Sequence, residues 1–236
     1  MILTGYPKRR RPLPEEYARI YAEAYAANRR GATPASSLAQ RMESWMHRQV
    51  AADVQVAAPT GPTLEVGAGT LNHLPYEPRV GNYDIVEPFR ELYEGSPGLA
   101  RVRRIYADVA EIAPGTSYDR IVSLATLEHI CELPQVVGNV ASLLSPQGCF
   151  RVAIPSEGCL LWRLGWGLTT GVEFRLRYGL DYGVLMRHEH VNTAREIEEV
   201  LRYFFADVQA RFLGLNRSLS FYQFFNCTAP RASGSA

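Results

Sequence analysis

The residues whose types and spacing could do chemistry begin with an apolar stretch that runs into glycines, Thr63-Leu64-Glu65-Val66-Gly67-Ala68-Gly69-Thr70. Residues without a side chain let a backbone turn sharply and approach a ligand closely. At the carboxyl end of a parallel strand, such a turn is where open α/β sheets bind nucleotides. By itself the pattern also fits an ordinary tight turn. Two acids in register with it point to a nucleotide. Glu87, twenty positions after Gly67, closes the stretch Asp84-Ile85-Val86 and is followed by Pro88. A carboxylate there can accept two hydrogen bonds from ribose hydroxyls. Asp108, in Tyr106-Ala107-Asp108-Val109, could accept from an exocyclic adenine amine while Val109 packs on the ring.

A second group is Glu128-His129, and a third is His188-Glu189-His190. Neutral imidazole can take a proton near neutral pH, and an adjacent carboxylate can orient it or serve in its place. The candidate catalytic residues are therefore His129, Glu128 and His190, against the alternative of histidines that only cap or brace a turn. If Glu128, His129 and His190 converged, their donor types would suit a divalent cation. No metal is expected. Between residues 156 and 187 lies an aromatic-rich stretch with Trp162, Trp166, Phe174, Tyr178 and Tyr182, interleaved with Arg163, Arg175, Arg177 and Arg187. It could close over a cleft as a lid, with Tyr21, Trp162, Arg187 and His188 as candidate acceptor-binding residues, although most of these aromatics are expected to be core contacts. The arginines could meet an anionic group, although Glu173, Asp181 and Glu189 nearly balance them.

These residues need elements to hold them. The spacing predicts a helix over 14–30 with Tyr17, Tyr21 and Tyr25 on one face, and a second from Ser36 or Ser37 to about Ala57 bearing Leu38, Met42, Trp45 and Met46. Short apolar runs follow at Thr63–Val66, Asp84–Glu87, Val102–Tyr106, Arg120–Leu124 and Cys149–Ile154. Separated by helical or loop segments, they predict a mainly parallel sheet with helices on both faces. Helices are expected at Pro134–Leu144, ending at the turn Pro146-Gln147-Gly148, and at Thr193–Phe204. Strands are expected near Ala206–Phe212 and Ser218–Cys227.

In this order the residues resemble the class I S-adenosylmethionine-dependent methyltransferases. Glu65, Gly67 and Gly69 match that family's first motif, Glu87 its second and Asp108 its adenine-binding acid. Asp119 through His129 match its fourth motif, and Leu143-Leu144-Ser145-Pro146-Gln147-Gly148 its turn after that helix. The resemblance covers 63 to about 155 well and the C-terminal strand pair loosely. It implies a Rossmann-like α/β three-layer sandwich of about seven strands, mostly parallel with the last antiparallel. It also implies that Glu65 orders the glycine turn or meets the methionine amino group, that Gly67, Ala68 and Gly69 line the methionine part, and that Leu124 and Ala125 lie beside the transferable methyl. His188-Glu189-His190-Val191-Asn192 is similar to a stretch common in the small-molecule branch. Relatives that hold a metal here carry an additional Glu where this chain has Ala125. Two departures stand out: the third glycine of the usual GxGxG is Leu71, and Pro75 and Pro78 cut short the helix that normally follows.

Composition narrows the rest. A formal charge of +1 gives no global reason to expect nucleic acid. No apolar run approaches the ~18 residues needed to span a bilayer, and the N-terminus lacks a signal-peptide pattern, so a cytoplasmic protein without a membrane partner is expected. The run Lys8-Arg9-Arg10-Arg11 is expected to be a solvated, mobile arm. Cys131, Cys149, Cys159 and Cys227 have neither zinc-site nor disulfide-scaffold spacing and are expected reduced and mostly in the core. The domain reading is a helical cap at 1–58, a cofactor-binding domain at 59–230 with its lid at 156–187, and a disordered tail at 231–236. The function reading is methyl transfer from S-adenosylmethionine, leaving S-adenosylhomocysteine, to oxygen of a small metabolite. The alternatives are N-methylation, a non-catalytic scaffold and an NAD(P)-dependent oxidoreductase. Against the last, position six of the GxGxxG fingerprint is Asn72, and Lys8 is the sole lysine, so no Tyr-x-x-x-Lys pair exists. The oligomeric state stays open.

Overall fold

The computed structural model describes residues 3–21 and 37–231. Seven strands form one sheet in the order β3-β2-β1-β4-β5-β7-β6. They are β1 (Thr63–Val66), β2 (Tyr83–Val86), β3 (Val102–Tyr106), β4 (Tyr118–Leu124), β5 (Leu144–Pro155), β6 (Phe205–Gly214) and β7 (Ser220–Pro230). The pairings of β1 to β5 are all parallel, and β7 runs antiparallel to both β5 and β6. The helices are α1 (Ser37–Val50), α2 (Ala52–Val56), α3 (Arg90–Tyr93), α4 (Leu133–Leu143), α5 (Leu160–Leu168), α6 (Thr170–Tyr178), α7 (Tyr182–Glu189) and α8 (Ala194–Phe204).

Successive strand residues face opposite sides of a sheet, and here each side has its own cover. Ile121, Phe150, Val152 and Ile154 join one core with Val137 and Val140 of α4 and Ile197 and Val200 of α8. Val122, Leu124 and Ala153 point the other way and pack on Met46 and Val50 of α1. In α8 the buried Ala194, Ile197, Val200 and Leu201 recur at helical spacing. Its start is fixed by a capping box in which Thr193 and Glu196 each serve the other's backbone N–H. The edge strand β3 is largely exposed, and Arg103 and Arg104 keep it from pairing further.

The structure corrects several expectations. The predicted turn at Pro146-Gln147-Gly148 lies inside β5 as an irregularity: Tyr118 pairs with Leu144 and Arg120 with Cys149, so the intervening residues bow out of the ladder. Of the predicted helix over 14–30, residues 15–21 are helical and the remainder, with Tyr25, lies outside the described residues. The side chain of Leu38 also lies outside them, as does the tail beyond Arg231. Only Cys227 of the four free cysteines is buried. Lys8 is half-buried and docked, and Arg10, though exposed, is tethered. The Lys8 ammonium donates to the Val191 carbonyl at 2.9 Å and meets Glu196, and Arg10 donates to the His129 carbonyl at 3.0 Å. Backbone oxygens at the ends of turns have no ladder partner, and cationic side chains satisfy them well.

Candidate cofactor and acceptor site

The strand order reverses direction between β1 and β4. A crevice opens at such a switch point beyond the carboxyl ends of the two strands. The glycine turn leaves β1 there and the segment Ala125–His129 leaves β4 beside it. Gly67, Gly69 and Leu71 all have left-handed φ, at 76°, 50° and 63°. Leu71 therefore adopts a backbone conformation that favours glycine, its side chain buried. A Cβ on Gly67 would come within 2.2 Å of the Thr126 Oγ1, so this turn and the β4 exit touch backbone to side chain. Ala68 is buried, and the Ser123 hydroxyl, donating to the Val66 carbonyl at 3.0 Å, joins the strands just below. After the turn only a short 3-10 turn forms at Leu74–Tyr76, as the prolines require.

The Glu87 carboxylate accepts the Gly69 N–H at 2.8 Å and the Phe89 N–H at 3.0 Å. It braces the turn while each oxygen keeps a further lone pair. Pro88 beside it is exposed. Asp108 is exposed and accepts the Ala110 N–H through Oδ1, leaving Oδ2 free of that cap, with Val109 buried next to it. Glu65 is buried and accepts from the Tyr83 hydroxyl at 2.9 Å rather than from the glycine turn. Desolvation pushes its carboxyl up to about 8. Leu124 is nearly buried at the end of β4, and Ala125 is exposed with φ 46°.

Across the crevice the structure brings Glu128, His129 and His190 together, their nearest ligand-type atoms all within 4.8 Å of one another. The cause is local. The Glu128 carbonyl accepts the Val191 and Asn192 N–H groups, and the buried Asn192 amide donates to the Leu127 and Ile130 carbonyls. The chain after α7 is thereby stitched to the turn after β4. Sequence reasoning missed Asn192, although the His-x-His-Val-Asn stretch contains it. It also missed Glu157, whose Oε2 meets the His190 Nδ1 at 2.7 Å and accepts the Trp162 indole N–H at 2.8 Å. Trp162 lies nearly parallel to His190 at 6.5 Å, and His129 meets His190 edge-on at 4.8 Å. His129 Nδ1 lies 3.0 Å from the Glu189 carbonyl, and its Nε2 lies 3.8 Å from Glu128 Oε1. Glu128 is 1 % exposed and its Oε2 has no partner. Burial pushes that carboxyl up to about 7.

Other candidates stand apart from this group. His188 pairs through Nδ1 with the Arg11 carbonyl at 2.6 Å and meets the Tyr21 ring edge-on. Arg187 is exposed and faces Asp181, at the start of α7, at 3.5 Å. The aromatics of the 156–187 segment divide likewise. Phe174, Tyr178 and Tyr182 form a small core with Tyr17 and Ile20, leaving Trp162 on the site. Behind the glycine turn is a buried polar chain with no obvious sequence signal: His47, His73, Glu77, Arg120 and Asp53 are linked at 2.8–3.0 Å. Desolvation lowers the His73 pKa and favours neutral imidazole. This chain ties α1 and α2 to the exit of the turn.

A methyltransferase domain family model matches residues 38–204, well over half of the chain. The chain belongs to that family. Its fold is the class I, Rossmann-like methyltransferase fold, and the nicotinamide oxidoreductase reading is set aside. A search of curated protein sequences finds no match. Among solved structures, the plantazolicin methyltransferase BpumL aligns with a TM-score of 0.59 at 12% identity, covering 90% of this chain and 92% of that one. The 1,6-didemethyltoxoflavin-N1-methyltransferase of Burkholderia thailandensis gives 0.57 at 17%, covering 95% and 93%. The N-methyltransferase NodS of Bradyrhizobium japonicum gives 0.55 at 12%, covering 83% and 89%. All three of those structures contain S-adenosylhomocysteine.

Proposed function

We propose that this methyltransferase takes S-adenosylmethionine as donor and methylates a hydroxyl oxygen of a small polar metabolite, releasing S-adenosylhomocysteine. The donor lies in the crevice at the switch point. Gly67, Ala68 and Gly69 line its methionine part, Glu87 with Pro88 meets the ribose, Asp108 and Val109 the adenine, and Leu124 and Ala125 flank the methyl. The product bound in the three structural neighbours supports this cofactor.

One observation carries the acceptor reading. Two imidazoles, His129 and His190, have their Nδ1 atoms committed to Glu189 and Glu157 and come together with the buried Glu128 beside the β4 exit. Methyl transfer is an in-line displacement at a sulfonium, so the protein's tasks are alignment, exclusion of water and removal of the acceptor's proton. A hydroxyl brought against this group meets the base it needs, and Trp162 supplies an apolar wall. An ammonium acceptor must lose a proton in the same way, and the two N-methyltransferase neighbours keep that second reading in play.

Calorimetric titration with S-adenosylmethionine, S-adenosylhomocysteine and NADH tests the donor. Micromolar binding of the two sulfur nucleotides, weakened about tenfold or more in Glu87→Ala, is expected for the loss of a charged hydrogen-bond acceptor. Preference for NADH would overturn the reading. Mass spectrometry and NMR of products from hydroxyl and amine panels then tell O- from N-methylation.

A further inference from the structure

We infer that His190 is the general base and that Glu157, which the catalytic reading above does not include, is the positioning residue that makes it one. This rests on the methyl-transfer reading and adds to it which of the two imidazoles takes the proton, and why. Glu157 sits just past the end of β5, and its two oxygens are both engaged: Oε1 accepts the Gly158 N–H at 3.3 Å, and Oε2 accepts the Trp162 indole N–H at 2.8 Å. Indole and backbone N–H groups can only donate. Both bonds favour the ionised carboxylate, to which the remaining partner on Oε2, His190 Nδ1 at 2.7 Å, can only donate. Against the upward push of burial, the hydrogen bonds from His190, the Trp162 indole and the Gly158 N–H hold the Glu157 carboxyl below the usual range.

With its proton fixed on Nδ1, neutral His190 carries its lone pair on Nε2. The ring cannot turn away freely, since it lies between the Trp162 indole face and the edge of His129. His129 is less well prepared. Its side chain is 31% exposed against 11% for His190, and the carboxylate nearest its Nδ1, Glu189, also faces the Arg10 guanidinium at 3.7 Å. Among the described residues Glu157 has no lysine or arginine partner, so its whole charge is available to an imidazolium on His190. A carboxylate that fixes the tautomer and then stabilises the protonated ring is the arrangement by which an imidazole becomes an effective base. During transfer, the acceptor's O–H proton moves to His190 Nε2 as its oxygen forms the new bond to the methyl carbon. The carbon–sulfur bond breaks with its electron pair going to sulfur, so the sulfonium becomes a neutral thioether and the positive charge ends on the imidazolium.

Nitrogen-15 NMR of the histidine rings in the purified protein reads the tautomer without any acceptor. The expected result is the His190 proton on Nδ1 in the wild type and in Trp162→Phe, with a shift toward Nε2–H in Glu157→Gln. With an acceptor in hand, Glu157→Gln and His190→Gln should lower kcat about a hundredfold with little change in KM, and His129→Gln should lower it less. A wild-type His190 protonated on Nε2 overturns the assignment, whether or not the variants fold. So does a larger loss at His129→Gln than at His190→Gln. A His190 proton on Nδ1 accompanied only by N-methylated products would overturn the hydroxyl reading and support this one, since a base serves either acceptor.

Discussion

At the scale of single residues, the site depends on a few positions where chemistry and backbone geometry leave no slack. Gly67 needs its φ of 76°, and the space for a Cβ is filled by Thr126. Gly67→Ala should cost about 3 kcal/mol, summing a left-handed non-glycine residue and the overlap, and should weaken S-adenosylmethionine binding at least tenfold. Pairing it with Thr126→Ala should recover part of the melting temperature but not the backbone cost, which a double-mutant cycle by calorimetry would show. Gly69→Ala, with open space at its Cβ, should lose only about 1 kcal/mol. Glu128 makes a second prediction, on pH. Its folded pKa of about 7 lies above the ordinary carboxylate value. Below pH ~4.5 both folded and unfolded states hold the proton and nothing is lost. As pH rises through the window from ~4.5 to 7 the unfolded chain ionises first, so folding stability falls and the full penalty remains above it. Glu128→Gln should therefore raise stability by on the order of 2 kcal/mol at pH 8 and scarcely at all at pH 4.5. Equal shifts in thermal melts at the two pH values would contradict this.

At the scale of elements, His129 and His190 come from segments about sixty residues apart that no regular element joins. What joins them is the loop after α7, held by Asn192 on the turn after β4, and the N-terminal strand of chain laid across both. Lys8 reaches the Val191 carbonyl and Glu196, its backbone N–H donates to the Cys131 carbonyl, and Arg10 reaches the His129 and Glu189 carbonyls. These pairs are partly exposed, so each is worth only about 1 kcal/mol in stability. Their effect on geometry is larger, because catalysis is sensitive to small misplacements. Truncation before residue 12 should thus leave the melting temperature within a few degrees of wild type, speed amide exchange at residues 127–131 and 189–193, and reduce kcat more than tenfold. Unchanged exchange in those two stretches would show that the arm merely rests there.

At the scale of the whole molecule, one sheet with its switch point between β1 and β4 gathers the glycine turn and the Glu128, His129 and His190 group at the same end. A ligand that binds only the folded state raises its stability by RT ln(1 + [L]/Kd), about 2.7 kcal/mol at a hundredfold excess over Kd. S-adenosylhomocysteine should accordingly raise the melting temperature by several degrees and NADH by none. The convergence of Glu128, His129 and His190 also allows a global test of the base reading against a metal one. Activity should survive chelation and desalting, since imidazole and carboxylate perform the proton transfer unaided. Loss of activity that returns on adding a divalent cation would reverse that.

The sequence by itself determined the alternation of strands and helices, because period-two and period-3.6 patterns reflect which side of each element is buried. It also determined the glycine turn and the positions of two acids just past strand ends, because those features are local to single strands. Gly67, Glu87 and Asp108 each stand one or two positions past the end of β1, β2 or β3. Only the tertiary structure decided that His129 and His190 meet, that Glu157 and Asn192 hold them, that Arg187 does not join them, and that Lys8 is docked and Arg10 tethered. Each of those contacts spans from 33 to 188 positions of chain. No local periodicity encodes such a pairing; it follows from strand order, which places the ends of β4 and β5 side by side and lets the chain after α7 return to them.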